Sequence, residues 1–268
     1  MMSFVRSPAV AGAFYPADAV ALSNQIQAFL AEAGEDVGVA PKALIAPHAG
    51  YIYSGPVAAH AYAHLQPLHD IIKRVVLLGP CHRVATLGLA LSSVETFLTP
   101  LGPVLIDHSF DEALLALPQV HVYDATHTAE HSLEVHIPFL QTVLDEFKLL
   151  PMVVGQASPE DVADVLEQVW GGPETLIVIS SDLSHYLNYD AAQTLDRKTC
   201  DAIEHLDVDA IGDNQACGRM PVKGLLHLAK RKGLTVRTLD LRNSGDTAGP
   251  RNQVVGYGSW GFWEETSQ

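Results

Sequence analysis

The sequence predicts an α/β fold in which one domain has a central mixed β-sheet with helices on both faces. Short apolar runs rich in Val, Ile and Leu alternate with longer amphipathic stretches, which is typical of this class. Several runs, among them 75–78 and 176–179, are apolar at every position, as expected of strands covered on both faces. The 268 residues, 48% of them hydrophobic, are enough for a sizeable core. We expect residues 1–268 to form a single domain.

Eight apolar runs are predicted strands and seven amphipathic stretches are predicted helices. In the first helix, for example, Leu22, Ile26 and Leu30 fall on one face. The predicted strands are 43–46, 74–78, 87–91, 104–106, 149–154, 175–180, 235–241 and 254–262. The predicted helices are 17–33, 55–65, 109–116, 133–147, 159–169, 189–205 and 221–232. The short distance along the chain between 87–91 and 104–106 favours an antiparallel pair, which would make the sheet mixed.

Charge and cysteine content exclude several classes of function. The formal net charge of −15 would repel the phosphates of a nucleic acid and the headgroups of an anionic membrane. No apolar run approaches the length of a membrane span, and the N-terminus lacks the pattern of a signal peptide. The three cysteines are too few for a disulfide framework and favour a reducing compartment. We therefore expect a cytoplasmic protein that binds neither nucleic acid nor membrane.

Polar residues follow three of the buried strands at the point where each strand ends. They are His48 after 43–46, His82 after 74–78, and Asp182 with His185 after 175–180. In open α/β sheets, ligands bind beyond the carboxyl ends of parallel strands. If these strands are parallel neighbours, the four side chains converge on one crevice. A single histidine after a strand is usually a loop residue, but three such coincidences favour a functional site.

Cys217 lies just before the predicted helix 221–232, and Arg219 is close to it in the sequence. A helix N-terminus and a neighbouring cation both lower the pKa of a thiol, and the thiolate is the form that binds metal. The alternative is an inert buried cysteine, which is the usual state of a free cysteine. That alternative fits Cys200 better, because Cys200 lies inside a predicted helix.

The segment 130–136 is a second polar cluster, and it contains His131, Glu134 and His136. On a helix, His131 and Glu134 would share one face. Their spacing is that of the His-x-x-Glu of some zinc peptidases, although the stricter His-Glu-x-x-His pattern is absent. A charged helix start explains the same residues. A dense Glu/His patch can also supply the partners that orient metal-bound imidazoles.

Six segments of the chain resemble the Memo family and occur in the order that this family has. They are 6–16, 47–51, 79–82, 130–136, 180–185 and 217–221. Together they extend over nearly the whole chain, which makes the resemblance specific. Bacterial members are called the B component of the AmmeMemoRadiSam system. The family is similar in fold to the LigB-like class III extradiol dioxygenases, and the resemblance implies that fold here.

The resemblance also implies a ligand set. It makes His48, His82 and Cys217 the metal ligands, and it places Asp182 and His185 in the same pocket. It further implies a functional link to radical SAM and AMMECR-type proteins. The related dioxygenases hold Fe(II) with two histidines and a carboxylate, whereas a thiolate favours Cu(I), zinc or electron-rich iron. Dioxygenase activity therefore does not follow from the fold.

We therefore expect an iron- or copper-dependent redox or oxygenase-type protein that acts on a small molecule, with zinc as a further candidate metal. His185 would be the acid/base group, since imidazole titrates near neutral pH. Asp182 would orient a ligand. The other expected pocket residues are His131, Glu134, His136 and Arg219. Two alternatives stay open: a non-catalytic metal-binding or peptide-binding interaction protein, and a zinc hydrolase with Glu134 or Asp182 as its base.

Overall fold

The computed structural model describes residues 4–34 and 41–264. Its strands are β1 (Val5–Arg6), β2 (Ala43–Ala46), β3 (Arg74–Pro80), β4 (Leu89–Leu91), β5 (Thr96–Thr99), β6 (Gly102–Leu105), β7 (Val120–Val122), β8 (Lys148–Val154), β9 (Thr175–Ser180), β10 (His185–Leu187), β11 (Thr235–Asn243) and β12 (Val254–Trp263). Its α-helices are α1 (Ala19–Ala33), α2 (Tyr51–Ala63), α3 (Asp111–Leu115), α4 (Asp124–Thr128), α5 (Ile137–Val143), α6 (Pro159–Gln168), α7 (Tyr189–Glu204) and α8 (Arg219–Lys232). Within the described ranges, no helix is long and apolar enough to cross a membrane.

Nine strands of the described residues form a mixed sheet at the centre of the molecule. Four strands, in the order β2, β9, β3 and β8, are parallel neighbours. β12 is antiparallel to β2 on one side, and β4 is antiparallel to β8 on the other. β1, β5 and β6 form a separate sheet of three strands. Because the four central strands run in one direction, their carboxyl ends meet at the same edge, where the sequence predicts the functional site.

Helices cover both faces of the large sheet, as the sequence predicts. Successive strand residues point to opposite faces: Ile45 packs in a core with α6, α7 and α8, whereas Leu44 packs in a core with α1, α2 and α5. Both side chains are fully buried. This two-sided burial is the reason why the central strands are apolar at consecutive positions. The predicted α/β class, with a mixed sheet between two helical layers, is confirmed.

One predicted strand pair is wrong. β4 pairs with β8 and β7, whereas β6 pairs with β5 in the small sheet. No strand was predicted at the position of β5, which follows β4 closely and forms a tight hairpin with β6 through residues 100–101. The nearest strand in the chain therefore takes the pairing that was expected for β4.

The predicted helix 133–147 is also shorter than expected. A 3₁₀ turn at Glu134–His136 leads into α5, which ends at Val143, and Leu144 has an extended backbone. His131 lies before this helix. The expectation that His131 and Glu134 share a helical face is therefore wrong, and the two side chains have separate surroundings.

Candidate metal centre

Three histidines meet at the carboxyl edge of the central strands. One ring nitrogen each from His48, His82 and His131 lies within 4.8 Å of the others. The rings of His82 and His131 are stacked, with centroids 4.7 Å apart. His48 lies edge-on to both, at 5.2 Å from His82 and 5.5 Å from His131. His48 follows β2 and His82 follows β3, so the parallel order of the strands brings these two together.

His48 is held in its neutral form. Burial keeps the pKa of its ring well below the ordinary value, and the neighbouring rings of His82 and His131 act in the same direction. Only 2% of His48 is exposed. A metal ligand has to be a neutral imidazole with a free lone pair, so the surroundings of His48 favour that role.

The hydroxyl of Ser180, the last residue of β9, selects the tautomer of His48. Ser180 Oγ donates its one proton to the carbonyl oxygen of Ser132, at 2.6 Å, because a carbonyl can only accept. His48 Nδ1 lies 2.6 Å from Oγ, so it must be the donor in that bond. The proton of His48 is therefore on Nδ1, and Nε2 keeps the lone pair.

The hydroxyl of Ser180 also fixes the tautomer of His136, which lies behind His48. His136 Nε2 is 2.8 Å from Ser180 Oγ and must donate to it. His136 Nδ1 then accepts from the hydroxyl of Tyr62, at 2.7 Å. Burial lowers the pKa of His136 well below its usual value, so this ring is neutral as well. Tyr62, His136, Ser180 and His48 thus form one ordered chain of hydrogen bonds.

Glu130 performs the corresponding task for His82. Its carboxylate accepts from His82 Nδ1 at 2.8 Å and from the His82 backbone N–H at 2.6 Å. The backbone N–H groups of His131 and Ser132 add two more bonds, each of 3.0 Å. Burial alone would raise the pKa of Glu130, but the hydrogen bonds from His82 and the backbone lower it to about 2. The carboxylate therefore holds Nδ1–H of His82 and leaves Nε2 with the free lone pair.

Glycine at position 79 lets the segment 130–133 approach the end of β3. A Cβ atom at Gly79 would lie 2.8 Å from both Ser132 Oγ and Leu133 Cδ2, which is closer than real Cβ contacts. The hydroxyl of Ser132 donates to Pro80 O at 2.8 Å and fastens the segment there. This close approach puts Glu130 within reach of His82.

Cys217 lies beside His48, two residues before α8. Its Sγ atom is 3.3 Å from His48 Nε2 and accepts from the Asp182 backbone N–H at 3.3 Å. Burial is the main cause that raises the pKa of the Cys217 thiol, and the negative charge of the Asp182 carboxylate raises it further. The expectation of a lowered thiol pKa is wrong, because burial and the nearby carboxylate disfavour the thiolate. Arg219 pairs with Asp213, at 3.2 Å. Cys217 is thus placed next to the histidine cluster, but as a thiol.

Asp182 and His185 flank the cluster on the side of β10 and β12. The Asp182 carboxylate accepts from the His48 backbone N–H at 2.7 Å, and its other oxygen is 4.0 Å from His48 Nε2. Burial raises the pKa of Asp182 despite that hydrogen bond and the nearby histidines. His185 is exposed and its Nδ1 donates to Leu183 O at 2.8 Å.

Glu134 has a different position from the one expected. Both of its oxygens are taken by the N-terminal segment: Arg6 forms an ion pair of 2.8 Å, and Tyr15 donates at 2.5 Å. The backbone N–H groups of Ala9 and Val10 donate to it at 2.7 and 3.0 Å. Arg6 also donates to the carbonyl of Glu130 at 2.7 Å. Glu134 therefore anchors the segment 5–15 against the segment 130–136, and it is no base at the centre.

Neither Glu130 nor Ser180 was predicted from the sequence to orient a histidine. Glu130 was part of a motif, but its partner, His82, is 48 residues away. Ser180 was noted only as the end of a strand. A general rule could have pointed to both residues: a histidine that binds a metal through one ring nitrogen usually donates the N–H of the other to an acceptor.

The fold and the site define an α/β protein with a candidate mononuclear metal centre at the carboxyl edge of its sheet. Residues 6–260 match the family model described as "Memo-like protein". A MEMO1 family protein from Aquifex aeolicus is 39% identical in an alignment of 264 positions, gaps included, that covers 94% of this chain and 97% of that one. A MEMO1 family protein from Methanothermobacter thermautotrophicus is 38% identical, over 94% of this chain and 98% of that one. The chain therefore belongs to the Memo family.

A solved structure supports the fold assignment. An uncharacterized protein from Escherichia coli K12 superposes with a TM-score of 0.53, over 80% of this chain and 98% of that chain. The two sequences are only 12% identical, so the likeness concerns the fold alone.

We predict that Glu134→Gln destabilises the protein by about 3–5 kcal/mol, because the substitution leaves the buried Arg6 guanidinium without its ion-pair partner. Urea denaturation would measure this loss. The matched control is the exposed Glu112→Gln, for which we expect a change within about 0.5 kcal/mol. Equal, small effects of the two substitutions would contradict the anchoring role of Glu134.

We also predict a pH-dependent role for Glu130. Its pKa is lowered from 4.5 to about 2, so the stabilisation from its ionised form is present above about pH 4.5 and declines as the pH falls towards 2. The difference in unfolding free energy between wild type and Glu130→Gln should be constant above pH 5 and lose roughly half its size by pH 3. Denaturation curves across this range would test it. A difference that stays constant down to pH 3 would show that Glu130 is not held ionised.

Proposed function

We propose that the protein holds one iron or copper ion with His48 Nε2, His82 Nε2 and the Cys217 sulfur, and that it uses this ion for redox chemistry on a small molecule. The observation that supports the proposal is the fixed tautomer of both histidines. Ser180 takes the Nδ1 proton of His48, and Glu130 takes that of His82, so both Nε2 atoms keep their lone pairs. The thiol of Cys217 is 3.3 Å from one of them.

The donor set fits such an ion. Ligands bound at about 2.0–2.3 Å from one metal lie roughly 3–4.6 Å from each other. His48 Nε2 lies 3.3 Å from Cys217 Sγ, and one ring nitrogen each of His48 and His82 lies within 4.8 Å of the other, which is close to this range. The thiol has to lose its proton on binding, which a coordinated cation brings about. Two imidazoles and a thiolate form a soft set that favours copper or electron-rich iron over magnesium or calcium.

A redox-active ion of this kind supplies one-electron chemistry and open positions for small molecules. The chain supplies the proton handling. Asp182, with its raised pKa, can hold a proton on the oxygen that lies 4.0 Å from His48 Nε2. His185, at the exposed side of the site, can carry a proton to or from solvent through Nε2, since Nδ1 donates to Leu183 O. The role proposed for His185 is the one expected from the sequence, whereas Asp182 was expected to orient a ligand.

A specific observation supports a second candidate, a zinc hydrolase. His131 belongs to the histidine cluster, so three imidazoles without Cys217 would give the three-nitrogen set of many catalytic zinc sites. The raised pKa of Cys217 favours this alternative, because the thiol would stay protonated. In that case Asp182 would be the base, since both oxygens of Glu134 are occupied elsewhere.

Measuring the metal affinities of the wild type and of three variants distinguishes the two candidate functions. The variants are Cys217→Ser, His131→Ala and the control Cys200→Ser, which removes a buried thiol from α7. After anaerobic loading with Fe(II), Cu(I) or Zn(II), we expect Cys217→Ser to weaken iron and copper binding at least tenfold, because it removes the soft ligand. His131→Ala should have little effect.

The iron- or copper-loaded wild type should also consume oxygen faster than Cys217→Ser. Two results together would reject the redox function in favour of the hydrolase. Zinc would be the most tightly bound metal, after allowance for the generally higher affinity of protein sites for copper, and His131→Ala would abolish zinc binding.

We predict that Ser180→Ala weakens metal binding tenfold to a hundredfold, because Nδ1–H of His48 loses its acceptor and the ring loses its fixed orientation. Competitive titration with a chelator would measure the affinity. Ser259→Ala is the control, since Ser259 is a fully buried serine of β12 whose hydroxyl has no hydrogen-bond partner among the described residues. Equal affinities in the two variants would show that Ser180 does not orient the ligand.

A further inference from the structure

A cavity of about 540 Å³ adjoins the candidate metal centre. Cys217 is part of its wall, together with residues at the carboxyl ends of β3 and β8 and at the start of α8. The thiol that lies 3.3 Å from His48 Nε2 thus belongs to both the centre and the cavity. A molecule in this cavity would therefore have one end beside the proposed ligand set.

Among the described residues that line the cavity, Arg219 is the only charged one. The guanidinium is only partly engaged: Nη2 pairs with Asp213 at 3.2 Å, and the Asp213 side chain is 86% exposed. Such an exposed pair is weak and screened by salt. Nε of Arg219 is buried and has no hydrogen-bond partner among the described residues. In a chain with a net charge of −15, this leaves a cation in the cavity wall whose Nε donor has no partner among the described residues.

The rest of the wall has an apolar part beside the polar side chains of Thr86 and Gln156. Met220 and Pro221 follow Arg219 at the start of α8, and Leu87 faces the same space. Leu87 is 72% exposed, so its side chain is available for contact with a ligand. Methionine adapts its shape to varied apolar partners. The cavity therefore offers one positive group and an adaptable apolar surface.

We propose that this cavity binds the substrate of the metal centre and that the substrate is a small organic monocarboxylate. Its carboxylate pairs with Arg219, its apolar body lies along Met220 and Leu87, and its other end reaches Cys217. A single guanidinium matches the single charge of a carboxylate in a two-bond pair. A phosphate dianion would keep a charge that no other lining residue neutralises. The proposal rests on the proposed metal function, whose ion would act on the end next to Cys217.

Binding of hexanoate and of its neutral analogue hexanamide to the metal-loaded protein tests the assignment. Ligand-observed NMR would give both dissociation constants, and we expect hexanoate to bind at least tenfold more tightly. Arg219→Gln should abolish this preference, and Arg219→Lys should keep part of it, because lysine retains the charge but not the two-bond geometry. Arg231→Gln, which removes one positive charge at the far end of the same helix, should leave it unchanged.

Measuring the metal content of each sample shows whether a failure concerns the cavity proposal or the metal function on which it rests. If the wild type binds no metal, the proposed function fails, whereas an Arg219-dependent preference for hexanoate would still support the cavity assignment. Equal binding of hexanoate to wild type and Arg219→Gln would overturn that assignment, because the carboxylate would then be binding elsewhere, for example directly to the metal. Inorganic phosphate is the competitor that tests the carboxylate class. If phosphate binds in the cavity more tightly than hexanoate and displaces it, the ligand is not a carboxylate.

Discussion

The hydroxyl of Ser180 connects the candidate metal centre to the sheet, and the orientation of His48 depends on it. β9 lies between β2 and β3, so its last residue reaches both the His48 loop and the segment 130–136. The single hydroxyl proton goes to Ser132 O, which requires His48 and His136 each to donate an N–H. Ser180 is fully buried, so water cannot replace a lost partner. One short side chain thus determines which nitrogen of His48 faces the centre.

Burial pushes most ionisable groups of the centre towards their neutral forms. It lowers the pKa of His48 and raises the pKa of Asp182 and of Cys217. Glu130 is the exception, because four hydrogen bonds to its carboxylate keep it ionised. A bound cation would favour the charged forms of Asp182 and Cys217 and release their protons. The arrangement combines neutral nitrogen donors with acids that a metal can ionise.

Much of the fold and part of the candidate centre could be predicted from the sequence. Consecutive apolar residues identified the strands buried on both faces, and the polar residues after them identified His48, His82 and Asp182. The parallel order of β2, β9 and β3 then brings these residues to one edge. Short elements were less predictable: β5 has only four residues, and its hairpin with β6 takes the pairing expected for β4. The helix 133–147 was too long, because its amphipathic pattern continues past the point where the backbone becomes extended at Leu144.

The sequence by itself determined the class of fold, the Memo family and the residues that end the central strands. Only the tertiary structure decided what the acidic residues do. Glu130 and Glu134 are four residues apart and chemically identical, yet Glu130 holds His82 while Glu134 holds Arg6 and the segment 5–15. Their partners are 48 and 128 residues away in the chain, as the numbers of His82 and Arg6 show. The role of a buried carboxylate depends on which donors the fold brings to it, and local sequence carries no record of such distant neighbours.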